Sequence, residues 1–267
     1  MSTDLQDLEK KSIAILREAK AQFHAPAVLW STGKDSTTTL WLCKKAFFGT
    51  IPFPVIHIDT GHKFPAIYAF RDQVAQAWGF TLLVAKNEAA LRQGMAPAKG
   101  RLACCTQLKT EALKALVRDR KFDALIVAIR RDEHAIRAKE RVYSPRDEAF
   151  RWDYADQPAE LWDFSGTPSD AVAHMRVHPL LHWTEHEVWQ YVRQEHLPVN
   201  PLYYAKDGMR YRSLGCMPCT VPVPSTACTI DAILQELAAS QAPERAGRAQ
   251  DKEQAYMMQK LRALGYM

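Results

Sequence analysis

The sequence predicts an α/β fold: a parallel twisted sheet flanked by helices, with an irregular, partly helical C-terminal extension. Three observations carry that reading. Short apolar runs at residues 27–30, 55–58, 81–84 and 124–129 alternate with segments of helical periodicity. The runs are nearly continuous in apolar character, as befits strands covered on both faces. A chain of 267 residues, 47% hydrophobic and 24% charged, is long enough to bury a core of its own.

The elements follow in order. Leu8, Ile13, Ile15, Leu16 and Ala19 recur at helical spacing and predict a lead-in helix over 5–23. The run 27–30 reads as a strand, and a Gly-containing loop leads from it into a helix over 35–47. A second strand at 55–58, a helix over 64–78 and a third strand at 81–84 repeat the pattern. Residues 109–118 look helical, and the run 124–129 suits a buried parallel strand. Between 131 and 170 the chain turns polar and loses periodicity, which predicts a long functional loop region. Thr184 and Glu187 form a capping box for a helix ending near Glu195. The chain is irregular after Pro201 until Thr229 caps a helix ending near Ser240. Residues 244–267 read as a charged, helical tail. Division near residue 200 is expected, with a nucleotide-binding domain over 1–200 and the extension over 201–267.

The formal charge of +5 fits anionic ligands such as nucleotide or sulfate but is too small to argue for a nucleic-acid groove. No apolar run approaches the length that spans a bilayer, and the N-terminus lacks the basic and apolar regions of a leader. A cytoplasmic protein without membrane contact is expected. In a reducing compartment the six cysteines suit free thiols or metal ligands better than disulfides.

The loop Ser31, Thr32, Gly33, Lys34, Asp35, Ser36 is the strongest chemical signal. Backbone N–H groups and the positive end of the helix dipole favour an anion there, and Gly33 permits close approach. Lys34 adds a point charge, while Ser31 and Ser36 add hydroxyls. The loop lacks the GxxxxGK[ST] spacing of a Walker A motif. At the C-terminal end of the second strand, Asp59, Thr60 and Gly61 occupy the position where open α/β sheets place ligands. Asp59 is a candidate for Mg²⁺ or a ribose hydroxyl.

The loop resembles the SGGKDS-type PP-loop of ATP pyrophosphatases, with Thr32 where the commonest form has Gly. Pro52 to Pro54, Asp59 to Gly61, Tyr68 to Asp72, Lys109 with Thr110, Arg130 to Glu133, Arg137 to Arg141, Arg151 with Trp152, His178 to Leu180, Trp183 with Thr184, Tyr211 to Cys216, and Glu244, Arg245, Gly247 and Arg248 extend the likeness. So do Glu160 to Trp162, Asp251 and Tyr266. Together they resemble the family of phosphoadenylylsulfate reductases and sulfate adenylyltransferase small subunits, closest to the latter branch. That resemblance implies an adenine-nucleotide α-hydrolase-like fold and use of ATP with Mg²⁺. It also implies attack of sulfate on the α-phosphorus and coupling to a GTPase large subunit. Catalysis would be positioning plus electrostatic stabilisation. Lys34, Arg130 and Arg131 are the expected catalytic residues, since Arg forks onto sulfate or phosphate oxygens.

Cys104 and Cys105, with Cys216 and Cys219, give four thiolates suited to a [4Fe–4S] cluster or tetrahedral zinc. The arrangement resembles the cluster motif of adenylyl-sulfate reductases, and vicinal cysteines favour iron–sulfur over structural zinc. Buried, inert thiols are the plain alternative. A reductase would use a cysteine near the C-terminus, and residues 229–267 contain none. An iron–sulfur ATP pyrophosphatase acting in DNA phosphorothioation, which alone would bring nucleic acid as a partner, and a non-catalytic nucleotide-binding scaffold complete the alternatives.

Overall fold

The computed structural model describes residues 5–155, 157, 173–240, 242–249 and 256–265. The motif residues Glu160, Leu161, Trp162, Asp251 and Tyr266 lie outside the described residues.

Helix α1 (Leu5–Gln22) is amphipathic and buries Leu8, Ile15, Leu16 and Ala19. Strand β1 (Pro26–Leu29) and helix α2 (Lys34–Ala46) enclose the glycine loop. Strand β2 (Val55–Ile58) precedes α3 (Pro65–Trp78), which opens on a proline and closes on left-handed Gly79. Strand β3 (Leu82–Ala85) and helices α4 (Glu88–Arg92) and α5 (Arg101–Cys105) follow. A π-helical turn (Thr106–Glu111) then runs into α6 (Ala112–Arg120). The expected helix over 109–118 therefore contains a bulge that buries Leu108, Lys109 and Thr110 in succession, which regular helical spacing could not do.

Strand β4 (Ala124–Ile126) is shorter than its apolar run, because residues 127–129 leave the ladder at the mouth of the cleft. Two strands of the main sheet were not read from sequence. One is β5 (Tyr143–Arg146), inside the polar region, and the other is β6 (His174–Val177). Both carry polar residues that are nonetheless buried, namely Ser144, Arg146, His174 and Arg176, so neither shows an apolar run. Helix α7 (Glu185–Gln194) has its expected capping box, with both reciprocal bonds present. Short strands β7 (Met209–Arg210) and β8 (Val223–Pro224) pair apart from the main sheet. Helix α8 (Ile230–Ala239) is capped by Thr229, and α9 (Met257–Ala263) follows. The expectation of a tail is corrected there: Met257, Met258 and Leu261 are buried and pack with Cys105.

The main sheet has the order β3-β2-β1-β4-β6-β5. All neighbours are parallel except β5, which pairs antiparallel with β6 at the edge. The parallel sheet expected from the βα alternation is present across β3, β2, β1, β4 and β6, and β5 adds one antiparallel strand at its edge. From β1 the chain first builds outward through β2 and β3, then returns to place β4 on the other side. The switch point lies between β1 and β4, and the crevice beyond their C-terminal ends is where such sheets bind ligands. No helix among the described residues is long and apolar enough to cross a membrane.

Candidate active site

The glycine loop sits at this switch point. Thr37 donates its amide to the Gly33 carbonyl at 3.0 Å, closing the first turn of α2. The Ser36 hydroxyl lies 3.1 Å from both the Gly33 carbonyl and the Ser31 hydroxyl, tying the loop into a ring. The Lys34 amide donates to the Tyr203 hydroxyl at 3.0 Å. A side chain at Gly33 would meet that hydroxyl at 3.2 Å, so the glycine permits a close approach. Thr32 has φ 66°, the left-handed conformation that glycine adopts without strain. The departure from the usual glycine leaves a threonine in this strained conformation.

Ser31, Gly33, Asp35 and Ser36 line a cleft that continues along Val127 and Ile129 to Glu133, Arg137, Glu244, Arg245 and Arg248. Lys34 and Arg130 lie directly behind this lining, almost without exposure. Lys34 pairs with Asp35 at 3.1 Å and with Glu244; Arg130 pairs with Asp132 at 2.9 Å, Asp35 and Glu244. Burial alone would raise the Glu244 carboxyl, but Arg130 and Lys34 hold it down at about 2. Burial would lower Lys34, yet Glu244 keeps it above the ordinary lysine value. Burial raises the Glu185 carboxyl, and repulsion from Glu244 adds to it, while Arg212 binds it at 2.8 Å.

A second charged group occupies the same cleft. Lys63 and Lys109 line it together with Arg248, whose guanidinium packs against Gly215. Any Cβ at Gly215 would fall 2.3 Å from the Arg248 Nη2, so only glycine admits this stacking. Lys63 pairs through its backbone with Cys216 in an isolated bridge. Burial lowers the Lys63 ammonium to about 8, with Lys109 and Arg248 acting in the same direction. Burial would raise the Cys216 thiol, but Lys109, Lys63 and the Thr60 hydroxyl bring it to about 7.

The turn after β2 stands beside this group and outside the cleft lining. Thr60 Oγ1 is 3.2 Å from Cys216 Sγ. Asp59 accepts from Tyr68 at 2.7 Å and from the Gly61 amide at 2.8 Å. Partial burial opposes ionisation of Asp59, and these two bonds outweigh it to lower its pKa. Gly61 has φ 69°, with Leu91 in contact beneath it.

All four expected metal-ligand cysteines are buried. Burial raises the Cys104 thiol to about 12, with further upward pressure from Cys105, Cys216 and Cys219, so the four share one neighbourhood. Their thiol chemistry fits an iron–sulfur cluster. Their present spacing does not match a metal site: among the described residues no group of three or more His, Cys, Asp or Glu is placed to hold an ion.

None of the expected catalytic residues is in the cleft lining itself: Lys34 and Arg130 reach it through the lining residue Glu244, which pairs with both, while the Arg131 Nη1 lies 3.0 Å from His182 Nδ1. Sequence reasoning missed Tyr203, Glu244, Lys63 and Lys109 as cleft residues. Lys109, Glu244 and Arg245 stand in the sequence only as motif residues, and those motifs are the signal that points to them.

Residues 25–222 match the phosphoadenosine phosphosulfate reductase domain family. The chain is 41% identical to sulfate adenylyltransferase subunit 2 of Psychromonas ingrahamii over 99% of its own length and 98% of that protein. It is equally similar, with the same coverage, to the subunit 2 of Shigella dysenteriae. Among solved structures, phosphoadenylyl-sulfate reductase from Candida auris in its phosphate complex superposes with a TM-score of 0.57 at 19% identity, covering 83% of this chain and 98% of that one. FMN adenylyltransferase from Candida glabrata superposes with a TM-score of 0.58 at 16% identity, over 82% of this chain and 63% of that one. At such identities the two structures speak for the fold alone. With its glycine loop at the switch point and near-full-length likeness to these subunits, the chain belongs to the sulfate adenylyltransferase subunit 2 family, within the phosphoadenosine phosphosulfate reductase domain family.

Proposed function

We propose that this chain transfers AMP from ATP to sulfate, giving adenylyl sulfate and pyrophosphate. The observation that carries the reading is the glycine loop, closed on the first turn of α2 between β1 and β4, in a chain similar over its length to subunit 2 proteins. In the reaction a sulfate oxygen bonds to the α-phosphorus while the bond to the β-phosphate oxygen breaks. No residue becomes covalently attached. The protein's task is to position two anions and to neutralise the charge that builds between them.

Lys34 and the loop amides would hold the departing pyrophosphate, and Arg130 would stabilise the charge at the reacting phosphorus. Both cations are held by carboxylates in the free chain, so the triphosphate replaces one set of anions by another. Mg²⁺ would enter with ATP. Asp59, partly exposed at the end of β2 and with a lowered pKa, is the carboxylate we propose for it.

Adenylyl sulfate is a mixed anhydride formed uphill, and coupling to a hydrolysis on a second subunit would drive the step. The relatives' designation as subunit 2 supports a partner, and we propose a GTPase large subunit. Incubation of the two subunits with ATP, GTP and radiolabelled sulfate should yield labelled adenylyl sulfate and pyrophosphate. ADP and phosphate as the ATP products would overturn the reading.

The proposal that Cys104, Cys105, Cys216 and Cys219 carry a [4Fe–4S] cluster is supported by their shared buried neighbourhood. No step of the transfer is routed through it. Iron and sulfide analysis of protein purified and reconstituted without oxygen tests it, and iron-free protein would reject it.

A further inference from the structure

The first turn of α2 offers its amides unequally. Gly33 precedes the helix without a side-chain cap, and the first amide to bond back into the turn is that of Thr37, so those of Lys34, Asp35 and Ser36 have no helical partner. Among the described residues, the Lys34 amide is the one of these three that meets a side chain, the Tyr203 hydroxyl at 3.0 Å. Tyr203 lines the cleft beside Ser31 and Gly33.

The tyrosine is held in place from several sides. Pro201–Tyr203 form a single 3₁₀ turn, and the Asn200 side chain before it accepts the Leu202 amide at 3.2 Å. The Tyr203 amide donates to the Asn200 carbonyl at 3.1 Å, and the Tyr211 amide to the Leu202 carbonyl at 3.0 Å. The ring stands edge-on to Trp189 of α7, with centroids 5.3 Å apart and planes at 88°, and the residue is 2% exposed. A phenol both accepts and donates. This one accepts the Lys34 amide, and among the described residues no acceptor takes its own hydrogen. Burial holds the phenol above its ordinary pKa against the pull of Lys34, and Glu244 and Glu185 act in the same direction as burial, so that hydrogen stays in place.

We infer that Tyr203 is a further catalytic residue, donating a hydrogen bond to an oxygen of the departing pyrophosphate while it accepts one from the Lys34 amide. This inference rests on the adenylyl-transfer reading and adds a ligand from outside the glycine loop. The amide polarises the hydroxyl, and the donor strengthens as negative charge gathers on the leaving group. A neutral donor suits this place, because Glu244 already holds Lys34 and Arg130 there and a phenol adds a hydrogen bond without adding charge. No proton is transferred, and no bond to Tyr203 forms.

The closing experiment measures pyrophosphate binding to the full chain by isothermal titration calorimetry, for wild type, Tyr203→Phe and Tyr203→3-fluorotyrosine. Steady-state kcat and KM for ATP are measured for each with the partner subunit present. Loss of one hydrogen bond to a charged group should weaken pyrophosphate binding by Tyr203→Phe about ten- to a hundredfold. The variant's kcat should fall by a similar factor, and its KM for ATP should change less. Fluorination makes the phenol a stronger donor and a weaker acceptor, so Tyr203→3-fluorotyrosine should bind pyrophosphate more tightly than wild type. A tyrosine that only props the Lys34 amide would lose affinity on fluorination. The fluorinated protein also decides the matter where Tyr203→Phe does not fold. Unchanged pyrophosphate affinity in Tyr203→Phe, binding that fluorination leaves unchanged or weakens, or a wild type that binds no pyrophosphate would overturn the role. Pyrophosphate bound through Tyr203 by a protein that forms no adenylyl sulfate would keep the ligand and sink the adenylyl-transfer reading alone.

Discussion

The Glu244 carboxylate bridges the Lys34 ammonium and the Arg130 guanidinium, joining a residue 210 positions downstream to the first turn of α2. On the adenylyl-transfer reading, an anion stands where the phosphates of ATP would need cations. The C-terminal segment ties the first turn of α2 to Arg130 in the free chain and would compete with such a ligand for both cations.

Removing that carboxylate should weaken the free protein and strengthen its response to nucleotide. Breaking a buried ion pair by deleting one partner costs about 3–5 kcal/mol, because the remaining charge stays buried. Glu244→Ala should lower Tm by several degrees, and ATP should raise the Tm of the variant further than that of the wild type. Thermal unfolding with and without ATP checks both. An equal ATP response in the two proteins would remove the competition between carboxylate and phosphate.

The same carboxylate sets a pH dependence. Its folded pKa of about 2 lies below the ordinary glutamate value of 4.5. A lowered carboxylate contributes stability that is present above the unfolded value and is lost as pH falls through the folded one. Denaturant titrations should show stability falling between pH 4.5 and pH 2. Glu244→Gln should flatten the curve over that window, and an unchanged slope would place the acid sensitivity in other groups.

Lys34 should matter to chemistry more than to nucleotide capture. The loop amides and hydroxyls can still meet the phosphates without it, whereas the developing pyrophosphate charge loses its nearest point charge. Lys34→Met should reduce kcat by roughly a hundredfold or more, the range seen when one preorganised electrostatic contact is lost. Pyrophosphate release, followed with the GTPase partner present, gives the measurement. A rise in KM for ATP with kcat intact would instead make Lys34 a binding residue only.

The sequence carried this site unevenly, for physical reasons. The loop, β1, β2 and the Thr184 capping box follow from local chemistry: a glycine beside a lysine, apolar runs, a hydroxyl three residues before a glutamate. Strands β5 and β6 stayed hidden because Arg146, His174 and Arg176 are buried by tertiary partners, which no local period records. Lys109 could be seen as part of a motif but not as a cleft residue, since a π turn changes which residues share a face. Glu244 could be seen as part of a motif but not as a partner of Lys34, because that contact is made only when the chain closes on itself.

The last prediction concerns the strained loop residue. A non-glycine residue in the left-handed region costs about 1–2 kcal/mol, and more for a β-branched side chain crowded at Cβ. Glycine removes that cost while adding freedom to the unfolded chain worth about 0.4–1 kcal/mol. The two terms oppose each other, and at φ 66° the strain is the larger. Thr32→Gly should therefore hold or slightly raise Tm. It should keep AMP transfer within a few-fold, because the backbone path that presents the loop amides is unchanged. Thr32→Val keeps the strain and removes only the buried hydroxyl, so comparison of the two variants isolates what that hydroxyl does. A clear fall in Tm or activity for Thr32→Gly, matched by Thr32→Val, would show that the hydroxyl outweighs the backbone strain.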